Sequence, residues 1–223
     1  PHPAWRPCTE HGEPAPNTLV DIPAGAVVLG RSFDEPIYGW DNEYGAHRAE
    51  VAAFSAARTL VTNREYLAFV DAGGYADDSV WDEEGLGWRR YARAEYPSFW
   101  VSTAEGWRLR LLSEEVAMPW DWPVEVNCLE ARAFCVWKAR ASGLPVRLPT
   151  EDEWNRLYDH VGLSDVPADA PASANLHLDH WASSCPVTHF AHGELFDVVG
   201  NVWQWCETPT YPFDGFDVHP IYD

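Results

Sequence analysis

The chain has 223 residues, 46% of them apolar, and its 35 acidic side chains outnumber 15 basic ones to give a net charge of -20. That length and apolar content provide a core for one large domain or two small ones and exclude a disordered chain. A surface of this sign repels a phosphate backbone and excludes nucleic acid as a partner.

In chain order, residues 1–17 are rich in proline (Pro1, Pro3, Pro7, Pro14, Pro16) with no apolar period, the pattern of an extended connector. From Thr18, Leu19–Ile22 alternates into a Pro23-Ala24-Gly25 turn and a second apolar run, Ala26–Gly30, which predicts strand, turn and strand. The run 61–70 predicts a helix capped by Thr62 or Asn63, with Tyr66, Phe69 and Val70 inward and Gly73-Gly74 as its stop. A second helix is expected near 127–142, with Phe134, Val136 and Trp137 toward the core, ending at Gly143 with Pro145 beyond. A third starts at Thr150, where Glu153 stands in capping-box position and Trp154, Leu157 and Tyr158 form a buried stripe. The stretches 75–125 and 162–195 read as long irregular loops, pinned by tryptophans such as Trp81, Trp100, Trp122 and Trp181. Thirteen Trp, nine Tyr and nine Phe against one Met imply a core of rigid aromatic plates whose N–H and O–H groups need internal partners.

The five cysteines, Cys8, Cys128, Cys135, Cys185 and Cys206, are odd in number, at no metal-finger spacing and without a C-x-x-C pair, which fits free thiols in a reducing cytosol. Cys128 and Cys135 fall on one helical face but roughly 10 Å apart, too far for a disulfide. No apolar run approaches the ~20 residues that span a bilayer, and no signal-peptide pattern opens the chain. The sequence therefore reads as cytoplasmic, with no membrane partner.

Two motifs mix aromatic anchors with polar groups: Arg147-Leu148-Pro149-Thr150-Glu151-Asp152-Glu153-Trp154 and Gly200-Asn201-Val202-Trp203-Gln204-Trp205. With Pro123-Val124-Glu125-Val126-Asn127 and the helix bearing Ala131, Phe134 and Trp137, they resemble the formylglycine-generating-enzyme domain, a loop-rich relative of the C-type lectin fold. The resemblance covers residues 18–223 and implies an α+β fold with few short strands and about three helices. Residues 1–17 then read as a linker from a missing upstream domain, and 18–223 as a domain truncated at its C-terminal end.

The segments GWDNE (39–43), ANL (174–176), HWASSCPV (180–187) and ETPTYPFDGF (207–216) resemble the 5-histidylcysteine sulfoxide synthases of ovothiol biosynthesis. The ergothioneine-type sulfoxide synthases, which act on trimethylhistidine, are their cousins. What this resemblance implies is an Fe(II)- and O2-dependent oxidoreductase that joins the sulfur of L-cysteine to the imidazole of L-histidine and leaves a sulfoxide. The iron-binding histidines would lie in an upstream DinB-like helical domain of the same protein, outside this chain. By the same resemblance Tyr222, in Ile221-Tyr222-Asp223 after Gly215-Phe216, is the catalytic tyrosine, offering a proton or hydrogen atom and steering toward C–S coupling; Tyr211 is the fallback. The other reading of Tyr222 is an ordinary buried tyrosine.

The resemblance also suggests a structural calcium ion, for which Asp197 could serve, although Gln204 stands where formylglycine-generating enzymes have Glu. Trp203 and Trp205 alternate around Gln204 as in a strand, and two core tryptophans beside a satisfied amide are the favoured reading over substrate contact. His177/His180 and His189/His192 share a three-residue spacing, but their Pro- and Ser-rich surroundings favour loop histidines over metal ligands. Cys206 lacks a partner thiol and adjoins Glu207, so a buried small residue is favoured over a redox centre. Asp121 with Glu125, Asp77-Asp78 and the run 151–153 could suggest paired-carboxylate hydrolysis, but the last is better explained as helix-start charge. A lectin-like binding module without catalysis is the alternative from another class.

Overall fold

The computed structural model describes residues 6–35, 38–163, 173–178 and 180–221. The chain divides into two units: unit 1 is Pro1–Val20, Ala57–Leu148 and Asp165–Trp205, and unit 2 is Asp21–Ala56, Pro149–Ser164 and Cys206–Asp223.

Unit 1 is organised by three helices. Thr62 caps α1 (Asn63–Asp71) by accepting the Glu65 N–H. Beyond its end, Gly73 takes φ +76°, and Gly74 leaves room for the Phe69 ring, which an added Cβ would meet at 2.0 Å. Helix α3 (Cys128–Ser142) begins with the reciprocal Asn127/Glu130 capping box and stops at Gly143 in the left-handed conformation. Its inward residues are Glu130, Ala133 and Phe134, with Trp137 packed partly buried beside them. That is the i, i+3, i+4, i+7 stripe. Val136 lies off it and is 38% exposed, which corrects its expected place near the core.

The stretch 75–125 is not loop. It holds α2 (Glu83–Ala92), capped by Asp82, and an antiparallel sheet of β5 (Trp100–Thr103), β6 (Gly106–Arg110) and β7 (Glu115–Ala117). Gly85 and Gly87 inside α2 lower its helix propensity and hid it from sequence reasoning. The strands are three to five residues long, too short for alternation to stand out. Sheet and helices enclose Tyr66, Phe69, Tyr75, Trp81, Trp100, Trp122 and Phe134 in one aromatic core.

The core's polar atoms are paired inside, as such a composition demands. Trp81 Nε1 donates to Gly74 O (2.9 Å) and Trp122 Nε1 to Glu10 O (2.8 Å). Asn63, fully buried, accepts from Trp100 Nε1 (3.2 Å) and donates to Pro119 O (2.9 Å). Tyr75 donates to the buried Glu130, whose other carboxylate oxygen accepts the Asn127 N–H.

Residues 6–17 have no regular secondary structure yet pack on this unit. Cys8 is buried with its N–H on Ser183 Oγ (2.8 Å), and Asn17 exchanges two hydrogen bonds with the Thr59 backbone.

In unit 2, β2 (Gly25–Leu29) and β3 (His47–Val51) pair antiparallel, with Gly25 opposite Val51 and Leu29 opposite His47. Ser55 of β4 (Phe54–Ala57) donates to Asp21 of β1 (Leu19–Ile22), the strand it pairs with. Thr150 and Glu153 form the capping box of α4 (Glu151–His160). The expected buried stripe on α4 is only half buried, because the sheet beside it has two strands and too little area to cover Trp154, Leu157 and Tyr158. No helix among the described residues is long and apolar enough to cross a membrane.

Candidate functional site

Two places gather the residues that the sequence singled out, one in each unit. In unit 2 the start of α4 and the segment after Cys206 are tied together: Glu207 donates its N–H to Pro149 O (2.8 Å), and the Glu151 N–H reaches Thr208 Oγ1 (2.9 Å). This brings the helix-start motif against the segment that leads to Tyr211 and Phe213. Gly30 (φ +100°) and Gly45 (φ +112°) allow Phe213-Asp214 to approach the β2–β3 end, where Ala46 N–H donates to Asp214 O (3.0 Å).

The result is a shallow depression of about 420 Å3, lined by Ala46, His47, Arg48 and Tyr211 to Asp214. The His47 ring lies parallel to Phe213, with Tyr211 edge-on to it, both at 5.9 Å. His47 Nε2 is 3.1 Å from Asp152 Oδ1, an ion-pair distance without hydrogen-bond alignment. Partial burial and the nearby Asp152 and Glu151 raise the Tyr211 phenol above its ordinary value, so it stays protonated through neutral pH. A hollow of this size with aromatic walls suits a small ring or amino-acid-sized ligand. The His47–Asp152 pair was missed in the sequence, because residues 105 apart carry no local signal.

Tyr222, the catalytic candidate, lies outside the described residues. Its fallback, Tyr211, is the phenol that the structure sets at this depression.

In unit 1 the Gly200–Trp205 motif is not a strand. Asp197, Gly200 and Asn201 adopt positive φ (48°, 85° and 64°), which turns the chain left-handed and breaks the expected alternation. Trp203 is consequently 98% exposed, correcting the expectation of a core residue. Trp205 is 45% exposed and donates Nε1 to Val126 O (2.9 Å). The satisfied amide is present: Gln204 Nε2 donates to Asp197 O (2.8 Å) and Val198 O (3.3 Å).

Beneath the loop, Asn201 accepts the Cys185 N–H (2.9 Å) and donates to Cys185 O (3.1 Å) and Asp197 Oδ2 (3.0 Å). Asp197 is fully buried and its Oδ1 has no partner. Burial lifts its carboxyl to about 7, only partly offset by the Asn201 hydrogen bond. Burial first, then the Asp197 charge, pushes the Cys185 thiol well up, and burial likewise raises Cys8. These thiols are held neutral, the opposite of what a redox nucleophile needs. Cys206 is half buried, more open than expected, and none of the five cysteines forms a disulfide.

The histidine pairs do not converge. His192 uses both ring nitrogens within the fold, Nε2 toward Ser173 O (3.0 Å) and Nδ1 accepting the Val198 N–H (3.2 Å). His189 sits 3.2 Å from Glu10, and His180 packs against Trp181 and Phe190. Among the described residues no group of three or more His, Cys, Asp or Glu could hold a metal. These residues therefore do not fit the iron that the resemblance implies.

Comparison with known proteins agrees with this architecture. Residues 8–215 match the sulfatase-modifying factor enzyme 1-like domain. Hercynine oxygenase of Mycolicibacterium thermoresistibile is 31% identical over 85% of this chain and 43% of that protein, and the Mycolicibacterium smegmatis enzyme is 32% identical over 89% and 47%. The formylglycine-generating enzyme of Bos taurus is 28% identical over 87% of the chain and 59% of its own length. The chain spans about half the length of the hercynine oxygenases it matches. Among solved structures, PvdO from Pseudomonas aeruginosa shares the fold, with a TM-score of 0.57 at 20% identity over 88% of this chain and 75% of that one. Because that family match runs through residues 8–215, nearly the whole chain, the chain belongs to the sulfatase-modifying factor enzyme 1-like domain family.

Proposed function

We propose that this chain is the substrate-site domain of a nonheme-iron, O2-dependent sulfoxide synthase that couples L-cysteine to L-histidine, the first step of ovothiol biosynthesis. The observation that carries this reading is the likeness, over most of the chain, to relatives named as oxygenases. The segment ETPTYPFDGF (207–216), which shapes the unit 2 depression, favours the ovothiol branch through its resemblance.

The reaction balances with one O2. The S–H and imidazole C–H bonds are lost, C–S and S=O bonds form, and the second oxygen atom leaves as water. Iron would supply the O2 activation; the described residues do not fit it, and the resemblance assigns its ligands to an upstream DinB-like domain. This chain's part is to seat the organic substrate and hold a proton at a phenol. Tyr222, or Tyr211 in its place, holds that proton and favours coupling over simple thiol oxidation.

A second reading, an ergothioneine-type synthase acting on hercynine, the trimethylated histidine, is favoured by the names of the same relatives. Aerobic turnover of the full natural reading frame with Fe(II), L-cysteine and either histidine or trimethylhistidine separates the two. Mass spectrometry is expected to find a histidylcysteine sulfoxide with histidine. Product only with trimethylhistidine would select the second reading, and no coupled product with either would leave a binding module. In the active protein Tyr222→Phe is expected to raise cysteine sulfinate at the expense of coupled product; an unchanged ratio would remove Tyr222 from the role.

A further inference from the structure

We infer that the loop from Asp197 to Trp205 is closed by the Gln204 carboxamide, which takes the place that a divalent cation would occupy, so that this domain folds without calcium.

A calcium ion needs six to eight oxygen ligands at about 2.3–2.6 Å, with carboxylates contributing most of the charge. Here four oxygens at the base of the loop already accept N–H groups. Asp197 O and Val198 O face the Gln204 amide nitrogen, and Asp197 Oδ2 and Cys185 O face that of Asn201. An N–H hydrogen carries partial positive charge and points along the same lone pairs that a cation would use. Amide and cation therefore exclude each other electrostatically.

The Gln204 orientation is fixed by chemistry, since two carbonyl oxygens can be satisfied only by its NH2 end. A Glu at this position would present oxygen to those carbonyls and repel them, unless a cation stood between. Gln supplies the bridging positive hydrogens itself. Among the loop's buried side-chain oxygens only Asp197 Oδ1 is left without a partner, and one carboxylate oxygen falls well short of the charge and ligand number that calcium needs. The inference is independent of the catalytic reading, because the loop geometry makes no use of substrate or iron.

The test uses the full-length, iron-loaded protein dialysed into calcium-free buffer without chelators, which would also strip iron. Bound calcium is counted by elemental mass spectrometry, and thermal midpoints are compared with and without millimolar calcium. A cation bound at a hundred times its Kd would raise the midpoint of a domain this size by about 5–10 °C. No stoichiometric calcium and no shift are expected. One calcium per chain, or a shift of that size, would overturn the inference.

Gln204→Glu tests the replacement directly. Its midpoint is expected to fall in calcium-free buffer and to recover with calcium, and bound terbium should luminesce through the neighbouring Trp203 and Trp205. A Glu variant as stable as the parent and indifferent to calcium would overturn the proposed exchange of amide for cation. Should that variant fail to fold, the calcium content and midpoint of the unaltered protein still decide the matter.

Discussion

Unit 1 and unit 2 use the same residue types for opposite ends. At the centre of unit 1 the aromatic plates are buried and the large indoles there have internal acceptors: Trp81 on Gly74, Trp100 on Asn63, Trp122 on Glu10. In unit 2, Phe33, Tyr38 and Trp40 stand exposed, and Tyr211 and Phe213 wall an open depression. Two-stranded sheets and a single α-helix cannot enclose so many rings. Aromatic content alone does not decide whether a region is a core or a contact surface; that is set by how much secondary structure stands around it.

Breaking the core should cost the most. Phe69 is fully buried and touches the rings of Tyr66, Tyr75, Phe134 and Trp137, so Phe69→Ala is expected to destabilise by about 3–5 kcal/mol. Trp40→Ala in unit 2 should stay within about 0.5 kcal/mol, as exposed substitutions do. Urea unfolding of both variants checks the contrast, and equal losses would erase it.

The next effect is on pH dependence. Asp197 has a folded pKa raised from 3.8 to about 7, so the folded state binds its proton more tightly than the unfolded one. Its contribution is fully present below pH 3.8 and is lost as pH rises through 7. One such group is worth roughly 2–3 kcal/mol between pH 5 and pH 8, with stability falling toward the alkaline side. Glu125 and Glu130, also raised by burial, act in the same direction. Asp197→Asn should flatten the profile by about that amount. An unchanged slope would show that Asp197 is ionised and accommodated in the fold.

A smaller change separates packing from pairing within the core. Tyr75→Phe keeps the ring but removes the donor to Glu130, leaving a buried carboxyl oxygen unpaired at a cost of about 1–3 kcal/mol. If the loss proves negligible, the core is held by ring packing alone and its internal hydrogen bonds are incidental.

How much of this was legible follows from the range of each signal. The caps of α1 and α4 are local, three residues from donor to acceptor, so Thr62 and Thr150 announced them, whereas the Asn127 cap of α3 was passed over. The family was legible because its motifs survive as contiguous strings. Helix α2 was hidden by two glycines that the surrounding core tolerates. The His47–Asp152 contact joins a strand to a helix far along the chain, and no periodicity encodes it. The fate of Trp203 depended on a left-handed turn at Gly200–Asn201, where a non-glycine residue accepts positive φ that the alternation rule does not foresee.

That turn puts Trp203 with Tyr91 among the rings that unit 1 leaves exposed, and the two tryptophans of one motif test the contrast most finely. Trp205 is half covered and its N–H is spent on Val126 O, so Trp205→Phe should cost about 0.5–1.5 kcal/mol. Trp203, 98% exposed, touches too little to be missed, and Trp203→Ala should change stability by less than about 0.5 kcal/mol. The same variants report on different things in the full-length protein. If Trp203→Ala destabilises the long form while leaving this chain unmoved, then the indole has found a cover outside these residues, and unit 1 too turns one aromatic ring outward as a contact.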